Sequence, residues 1–382
     1  MSGRDSPGAV GRSLARREGP VGGRLDGRGM HTNRHIQLGD ATRRRLSVAL
    51  VAVALGGGLM VRSSSPAQAA GTSTTHAYTW PVKPFDRPHP VRGNFGDPRT
   101  IFAGPPTERT LLSGPGTFQF HDGVDISAPD GTAVYPVATG TVVSVTDQWV
   151  GVDSGNGRRF EYWHIARSVS VGQHVEADVT VLGHILRDCG HVHLTELDGN
   201  VPVNPLAPGH LGPYTDATVP VATSVRFRAS ITGHDLMPEL LRGRLEIVAA
   251  VHDMPAVPVP SIWHDLPVTP ALVEWRIQRP FGVKPVVPER VAYDVRNRLP
   301  SPGAFWSVYA RGTHQNMSVF GKHYSYMQPG VYLFRLAPGG FDTRSLKDGV
   351  YELVVTAVDI RGNRSSYTQR FSVHNRAGVV GT

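Results

Sequence analysis

Four histidines and one aspartate between positions 121 and 193 have the side chains that a hydrolytic metal site needs. They are His121 and Asp125 in FHDGVDISAP, His164 in EYWHIA, and His191 with His193 in CGHVHLTE. Three nitrogen or carboxylate donors leave one position of a tetrahedral zinc open, and spare imidazoles beside it can move protons. A purely structural zinc site has no use for the extra pair. If HVHLTEL is a strand, His191 and His193 project from one face, and Val192 and Leu194 from the other. One imidazole can then bind a metal while its neighbour stays near as a proton donor or acceptor. His121 and Asp125 share a face if their segment is extended, and mixed nitrogen and oxygen donors suit zinc.

The elements that must position these residues read as strands. From Val91 to Asp216 the chain alternates short β-branched segments with Gly and Pro turns: TAVYPVATGTVVSV, RFEYWHIA, VTVLGHIL and HVHLTEL. No segment keeps a 3.6-residue apolar period, so the expected class of the first domain, over 91–216, is all-β. A second block, 219–374, repeats the pattern in SVRFRASI, GRLEIVAAVHD, ALVEWRIQ and GVYLFRLA. It ends in GVYELVVTAVDIRGNRSSYTQRFSV, which reads as a terminal hairpin turning at Gly-Asn. This predicts a β-sandwich resembling immunoglobulin-like domains in architecture, without their cysteine pair. Residues 70–90 read as a linker and 375–382 as a loose tail.

The formal charge of +8 sits almost entirely in the first 69 residues. They hold eleven Arg, no Lys and four acidic residues, which leaves +1 for the rest of the chain. A nucleic-acid partner is therefore not expected. The leader itself reads as an export signal: Arg43-Arg44-Arg45, an apolar run over 46–60, and Ala67-Gln68-Ala69 as a cleavage site after Ala69. A run of fifteen residues containing three glycines is short for a membrane span, so membrane contact is expected only through an uncleaved leader. The Thr42–Leu46 segment fits a twin-arginine signal and an ordinary basic region equally, and Met30 is an alternative start. The expected location is outside the cell or in its envelope. With Cys189 as the lone cysteine, no disulfide within the chain can form, and stability must come from the core.

In their order, His-x-Gly-x-Asp, an apolar strand after Gly131, Tyr-x-His and Gly-His-x-His-Leu-x-Glu resemble the lysostaphin-type zinc endopeptidases, which cut peptidoglycan cross-bridges and stem peptides. The likeness runs from about Asn94 to Pro205 through NFGDPR, HDGVDISAPDGTAVYPVATGTVVSV, YWHI, VGQHVEADVTVLGHI, GHVHLTE and VNP. It implies an antiparallel, barrel-like β-sheet for the first domain, His121, Asp125 and His193 as ligands of one zinc per chain, and His164 and His191 as the catalytic pair. One of that pair would take a proton from water and the other stabilise the oxyanion; the sequence does not assign which. The implied substrate is peptidoglycan peptide, with a wall polymer as a partner for the C-terminal block. Two alternatives stay open: a non-catalytic wall-binding or hydrolase-regulating protein on the same fold, and a zinc peptidase with another substrate. Regulators of this kind typically lack a ligand, whereas here all five positions are filled.

The chain departs from the family pattern at Trp163 and Ile165 around His164, and at Val192 and Leu194 around His191 and His193. Alternation places these off the site face. The Gly/Ser/Thr-rich loop that usually precedes His191 is replaced by Ile185–Cys189, which makes substrate preference the property most open to change. Among the neighbours, Trp163 reads as a core residue and Cys189 as a small buried side chain. Glu196 reads either as orienting a ligand or as solvated. His174, His184, His210, His234, His252 and His264 read as structural or surface residues.

Overall fold

Runs of β-branched and aromatic residues broken by Gly and Pro give strands almost throughout, in this computed structural model as in the sequence pattern. Residues 77–102, 116–282, 284–318 and 327–376 are described. The leader 1–69 with its apolar run, the first part of the 70–90 linker and residues 377–382 of the tail lie outside the described residues. Among the described residues no helix is long and apolar enough to cross a membrane.

The first half is built on an eight-stranded antiparallel sheet. Its central strand, His191–Asp198, lies between Val124–Ser127 on one side and Arg158–Trp163 on the other. Register places Asp125, His193 and Trp163 side by side across the three strands, so they share a face. On the opposite face Val124, Leu194 and Tyr162 are fully buried, as are Ile126 and Val192 one step along. A small sheet of Ala133–Val134, Gly183–Ile185 and Ile165–Arg167 accompanies them, with Val134, Ile165 and Leu182 fully buried in the same core. The sheet thus has one greasy face and one face free for chemistry.

The second half is built on two larger antiparallel sheets, beside a two-stranded pairing of Met317–Ser318 with Met327–Gln328. One contains Val221–Ala229 and Arg244–His252, the other Leu272–Gln278, Pro285–Asp294, Gly349–Val358 and Arg364–Val373. They pack through Phe227 on Phe371 (5.3 Å between ring centroids), Tyr293 on Phe334 (5.0 Å) and Trp275 on Phe341 (6.1 Å). The terminal hairpin pairs Gly349–Val358 with Arg364–Val373 and turns with Gly362 at φ +91°.

Among the described residues no sheet mixes strands from the two halves, yet these residues all fall within one compact unit, Ala70–Thr382. The join is made by NFGDPR. Asn94 Nδ2 donates to Thr269 O (3.0 Å), and the Thr269 amide donates to the buried carboxylate of Asp97 (2.7 Å). Tyr309 OH donates to Gly96 O (2.7 Å), and Asn204 Nδ2 to Val295 O (2.9 Å). The described part of the segment expected to be a linker is packed as well: Trp80 and Val82 are fully buried, and Trp80 Nε1 donates to Pro213 O.

Three carboxylates, Asp216, Asp253 and Asp359, converge near this join. Burial, followed by repulsion from Asp216, pushes Asp253 up to about 8, and burial pushes Asp359 up to about 6. A carboxyl with a raised folded pKa contributes stability below its unfolded pKa and loses it as pH rises through the folded value. Asp253→Asn should therefore match the parent at pH 4 and melt higher than it at pH 9, by roughly 2 °C or more. Thermal melts with EDTA in both samples check this; equal melting temperatures at pH 9 would reject it.

Candidate metal centre

The five residues reach the site from three segments of the chain. His121 follows the strand Gly116–Phe120, and the chain bends at Asp122-Gly123 before Val124–Ser127 begins, so the segment from His121 to Asp125 is not one extended strand. The bend depends on Gly123, where a Cβ would collide with Leu194 O and crowd His193 Nε2. His191 and His193 point from one face of their strand, as alternation requires. His164 ends the Arg158–Trp163 strand with φ +65°, a left-handed conformation uncommon for a side-chain-bearing residue.

Three donor atoms form a tight triangle. His121 Nε2 lies 2.8 Å from His193 Nδ1, and Asp125 Oδ1 lies 3.2 Å from the first and 3.1 Å from the second. Ligand bonds of the usual zinc length set tetrahedral edges of about 3.3 Å, so the donor set fits one zinc ion. The back of each ligand is fixed. His121 Nδ1–H donates to Asn94 O (2.8 Å), which leaves the Nε2 lone pair facing inward. His193 Nε2 meets Thr195 Oγ1 (2.8 Å), and the Arg99 guanidinium holds Asp125 Oδ2.

His191 and His164 flank the triangle. His191 Nε2 is 3.5 Å from Asp125 Oδ1, and the His164 ring centre is 4.6 Å from that of His191 and 6.4 Å from that of His193. His191 Nδ1 faces two groups of opposite preference. A proton on it is donated to Cys189 O (2.7 Å), whereas a bare Nδ1 accepts from the Arg92 guanidinium (2.6 Å). Electrostatics divide the imidazoles. Burial, reinforced by Arg99, lowers His121 to about 4. Burial also lowers His164 and takes His191 to about 3, so all three are neutral near pH 7. His193 is pushed down by burial, but Asp122 and Asp125 outweigh this and raise it to about 9. Burial pushes the Asp125 carboxyl up, and His121, Arg99 and His191 together hold it well below the usual range.

All five residues line one cleft of about 450 Å³. Trp263, Gln315, Asn316 and Tyr332 line it from the second half. Several expectations need correction. Trp163 is not a core residue: it lies opposite His193 in register, stacks on Trp149 (4.9 Å, 16°) and lines the cleft. The turn at His164 breaks the alternation that would have hidden it. Glu196 neither orients a ligand nor meets solvent. It points to the other face and is 1% exposed, held by Arg158, Tyr78 and His210. Cys189 contributes its carbonyl to the site, and its thiol is outside the donor triangle. Sequence reasoning did not find Arg92, Arg99, Asn94 or Trp263. Thr195 was within reach, two residues beyond His193 on the same strand face.

Against known proteins, the model described as "Peptidase family M23" matches residues 119–205. No curated protein matches the chain. Among solved structures, the chain is similar to a zinc containing peptidase from Vibrio cholerae, at 23% identity over 34% of this chain and 39% of that one, with a TM-score of 0.26. It is similar to a putative peptidase M23 from Pseudomonas aeruginosa, at 23% identity over 35% and 51%, with a TM-score of 0.23. It is also similar to a chain of the SpoIIIAH and SpoIIQ complex, at 21% identity over 34% and 97%, with a TM-score of 0.26.

Proposed function

We propose, from the premise that residues 119–205 form a peptidase family M23 domain, that the protein is an exported zinc endopeptidase hydrolysing peptide bonds of peptidoglycan. The observation that carries this reading is the convergence of His121 Nε2, Asp125 Oδ1 and His193 Nδ1 with His164 and His191 beside them in one cleft. His121, Asp125 and His193 hold the metal. When bound, zinc supplies Lewis acidity and makes water acidic enough to furnish a nucleophile near neutral pH.

The remaining chemistry belongs to the chain. His164 and His191, kept neutral by burial, provide one imidazole to take the proton of the attacking water and return it to the leaving amine. The other donates a hydrogen bond to the oxyanion of the tetrahedral intermediate. Arg92 and the Cys189 carbonyl hold His191 from behind. Trp163 and Trp263 give the cleft aromatic walls for a peptide. Export through the arginine-rich leader, with cleavage after Ala69, brings the enzyme to its substrate.

Digestion of defined muropeptides, read by mass, tests the proposal. The zinc-loaded protein should release fragments with new amine termini, and the His164→Ala protein should not. Zinc-loaded protein that cleaves no muropeptide would replace this reading with a non-catalytic wall-binding role.

A further inference from the structure

Among the described residues, the large apolar side chains most open to solvent are Phe281 (99% exposed), Ile231 (98%), Met237 (68%) and Leu240 (64%). All four stand at one end of the second half, as strand register requires. Gln278 lies opposite Glu352, Gly349 opposite Val373, and Val373 beside Leu241, so the turn that carries Phe281 and the segment that carries Met237 and Leu240 share an end. The turn that carries Ile231 joins them, because Ala229 pairs with Leu245 just after Leu241. Thr269 and Val295, which make the join to the first half, flank the opposite ends of the Leu272–Gln278 and Pro285–Asp294 strands. The exposed side chains therefore point away from the metal-bearing half.

Backbone conformation adds to the cost of this display. Gly282 N–H donates to Arg279 O (2.8 Å) and closes a β-turn whose third residue is Phe281, with φ +59°. A turn with positive φ at that position takes Gly or Asn, and a bulky side chain there is strained. A ring that is almost wholly exposed gains no packing in return, which points to a function outside the fold. The charges around these turns are one-sided. Asp235 pairs with Arg228 (3.2 Å), Asp342 pairs with Arg344 (2.7 Å), and Asp348 accepts from the amides of Asn375 (2.8 Å) and Arg376 (3.1 Å). Arg242, Lys284 and Lys347 are exposed and have no acidic partner among the described residues, against one unpaired carboxylate in these turns, Glu239. Apolar tips on separate turns suit a fluid partner better than a folded one, because a bilayer interface takes them in without shape complementarity. The surplus of cations selects an anionic one.

We propose that this end of the chain binds the surface of a membrane containing anionic phospholipid. Phe281, Ile231, Met237 and Leu240 enter the boundary between headgroups and acyl chains, to a depth of about 5–10 Å, while Arg242, Lys284 and Lys347 meet the headgroups. Membrane contact then outlasts cleavage of the leader, contrary to the expectation from sequence. The metal-bearing half, joined at the opposite end, is held away from the bilayer. This attachment does not depend on what the metal cleft hydrolyses.

The test uses residues 70–382, which form one compact unit, so that the arginine-rich leader contributes nothing. Binding is read by sedimentation with vesicles of phosphatidylcholine, alone or with a third of the lipid replaced by phosphatidylglycerol. The anionic vesicles should bind about tenfold more tightly or better, and high salt should weaken them. Lys284→Glu with Lys347→Glu should lower that affinity by about a hundredfold. Phe281→Asn should lower it by about tenfold while the melting temperature stays level or rises, a pair of effects that misfolding does not produce. Phe281→Trp should give an indole that brominated lipid quenches. Equal binding to both kinds of vesicle, or Phe281→Asn binding as tightly as the parent, would overturn the proposal. An unquenched Phe281→Trp protein that soluble poly(glycerol phosphate) strips from the vesicles would assign this end to an anionic polymer instead. A dimer that Phe281→Asn dissolves, with no vesicle binding by the parent, would assign it to a second copy of the chain.

Discussion

Alanine in place of His193 should leave the protein unable to retain zinc, while alanine in place of His191, two residues away on the same strand face, should leave the metal bound and remove activity. The geometry requires this split. His193 Nδ1 is a corner of the donor triangle, and its loss leaves one nitrogen and one carboxylate oxygen, too few to hold the ion against dialysis. Affinity should fall by about a hundredfold or more, and His121→Ala should behave in the same way. The His191 ring stands outside the triangle, its nearer nitrogen 3.5 Å from Asp125 Oδ1, and its Nδ1 is occupied by Cys189 O and Arg92. Removing a general acid–base group of this kind lowers turnover by about 10² to 10⁴. Metal content after dialysis, together with competition against a chelator, separates the two classes. The parent, His164→Ala and His191→Ala proteins should each carry about one zinc, and His121→Ala and His193→Ala close to none. Loss of zinc from both His164→Ala and His191→Ala would break the division of roles.

The parts of this site legible in the sequence are those set by local alternation. His191 and His193 share a face because side chains in a strand repeat every two residues, and nothing distant is needed to see it. The same rule misplaced Trp163, because it assumes that the strand continues through His164. A left-handed residue at that point turns two consecutive side chains toward one cleft, and nothing in Tyr-Trp-His-Ile announces it. Glu196 failed differently. Alternation alone takes it off the His193 face, but what buries it is Tyr78 and His210, which come from segments distant in sequence. Arg99 reaches Asp125 only because the Pro98–Phe102 strand folds back on Gly116–Phe120, and Trp263 meets Arg92 across the join of the two halves. The all-β class was readable because β-branched runs and turn residues recur at short intervals. The relation between the two halves was not, since it depends on buried polar groups that look like ordinary loop residues in sequence.

That relation leads to an expected result as large as the first: the chain from Ala70 onward should unfold in a single cooperative transition, although its strands fall into separate sheets. Independent domains meet through modest, largely solvated contacts. Here the contacts are buried and polar groups depend on them. Parting the halves would strand the Asp97 carboxylate, which burial raises to about 7 despite Arg99, without the Thr269 amide. It would break the hydrogen bonds of Asn94 Nδ2, Asn204 Nδ2 and the Gly96 carbonyl across the join and expose the packing of Phe118 and Phe120 on Phe305. Each of these four hydrogen bonds gives up about 0.5–1.5 kcal/mol when water replaces the partner, and each aromatic ring laid bare adds about 1.5–3 kcal/mol, so the loss is comparable with the 5–15 kcal/mol that stabilises a typical protein. One half should therefore not outlast the other. Calorimetry checks this through the ratio of the measured enthalpy to the van't Hoff enthalpy, expected near one; two resolved transitions would show that the halves are independent. Tyr309→Phe, which removes the hydroxyl that donates to Gly96 O, should lower the melting temperature of that one transition without splitting it. A chain ended at Asp216 should lose zinc binding together with its fold, because Asn94, which holds the back of His121, is itself anchored to Thr269.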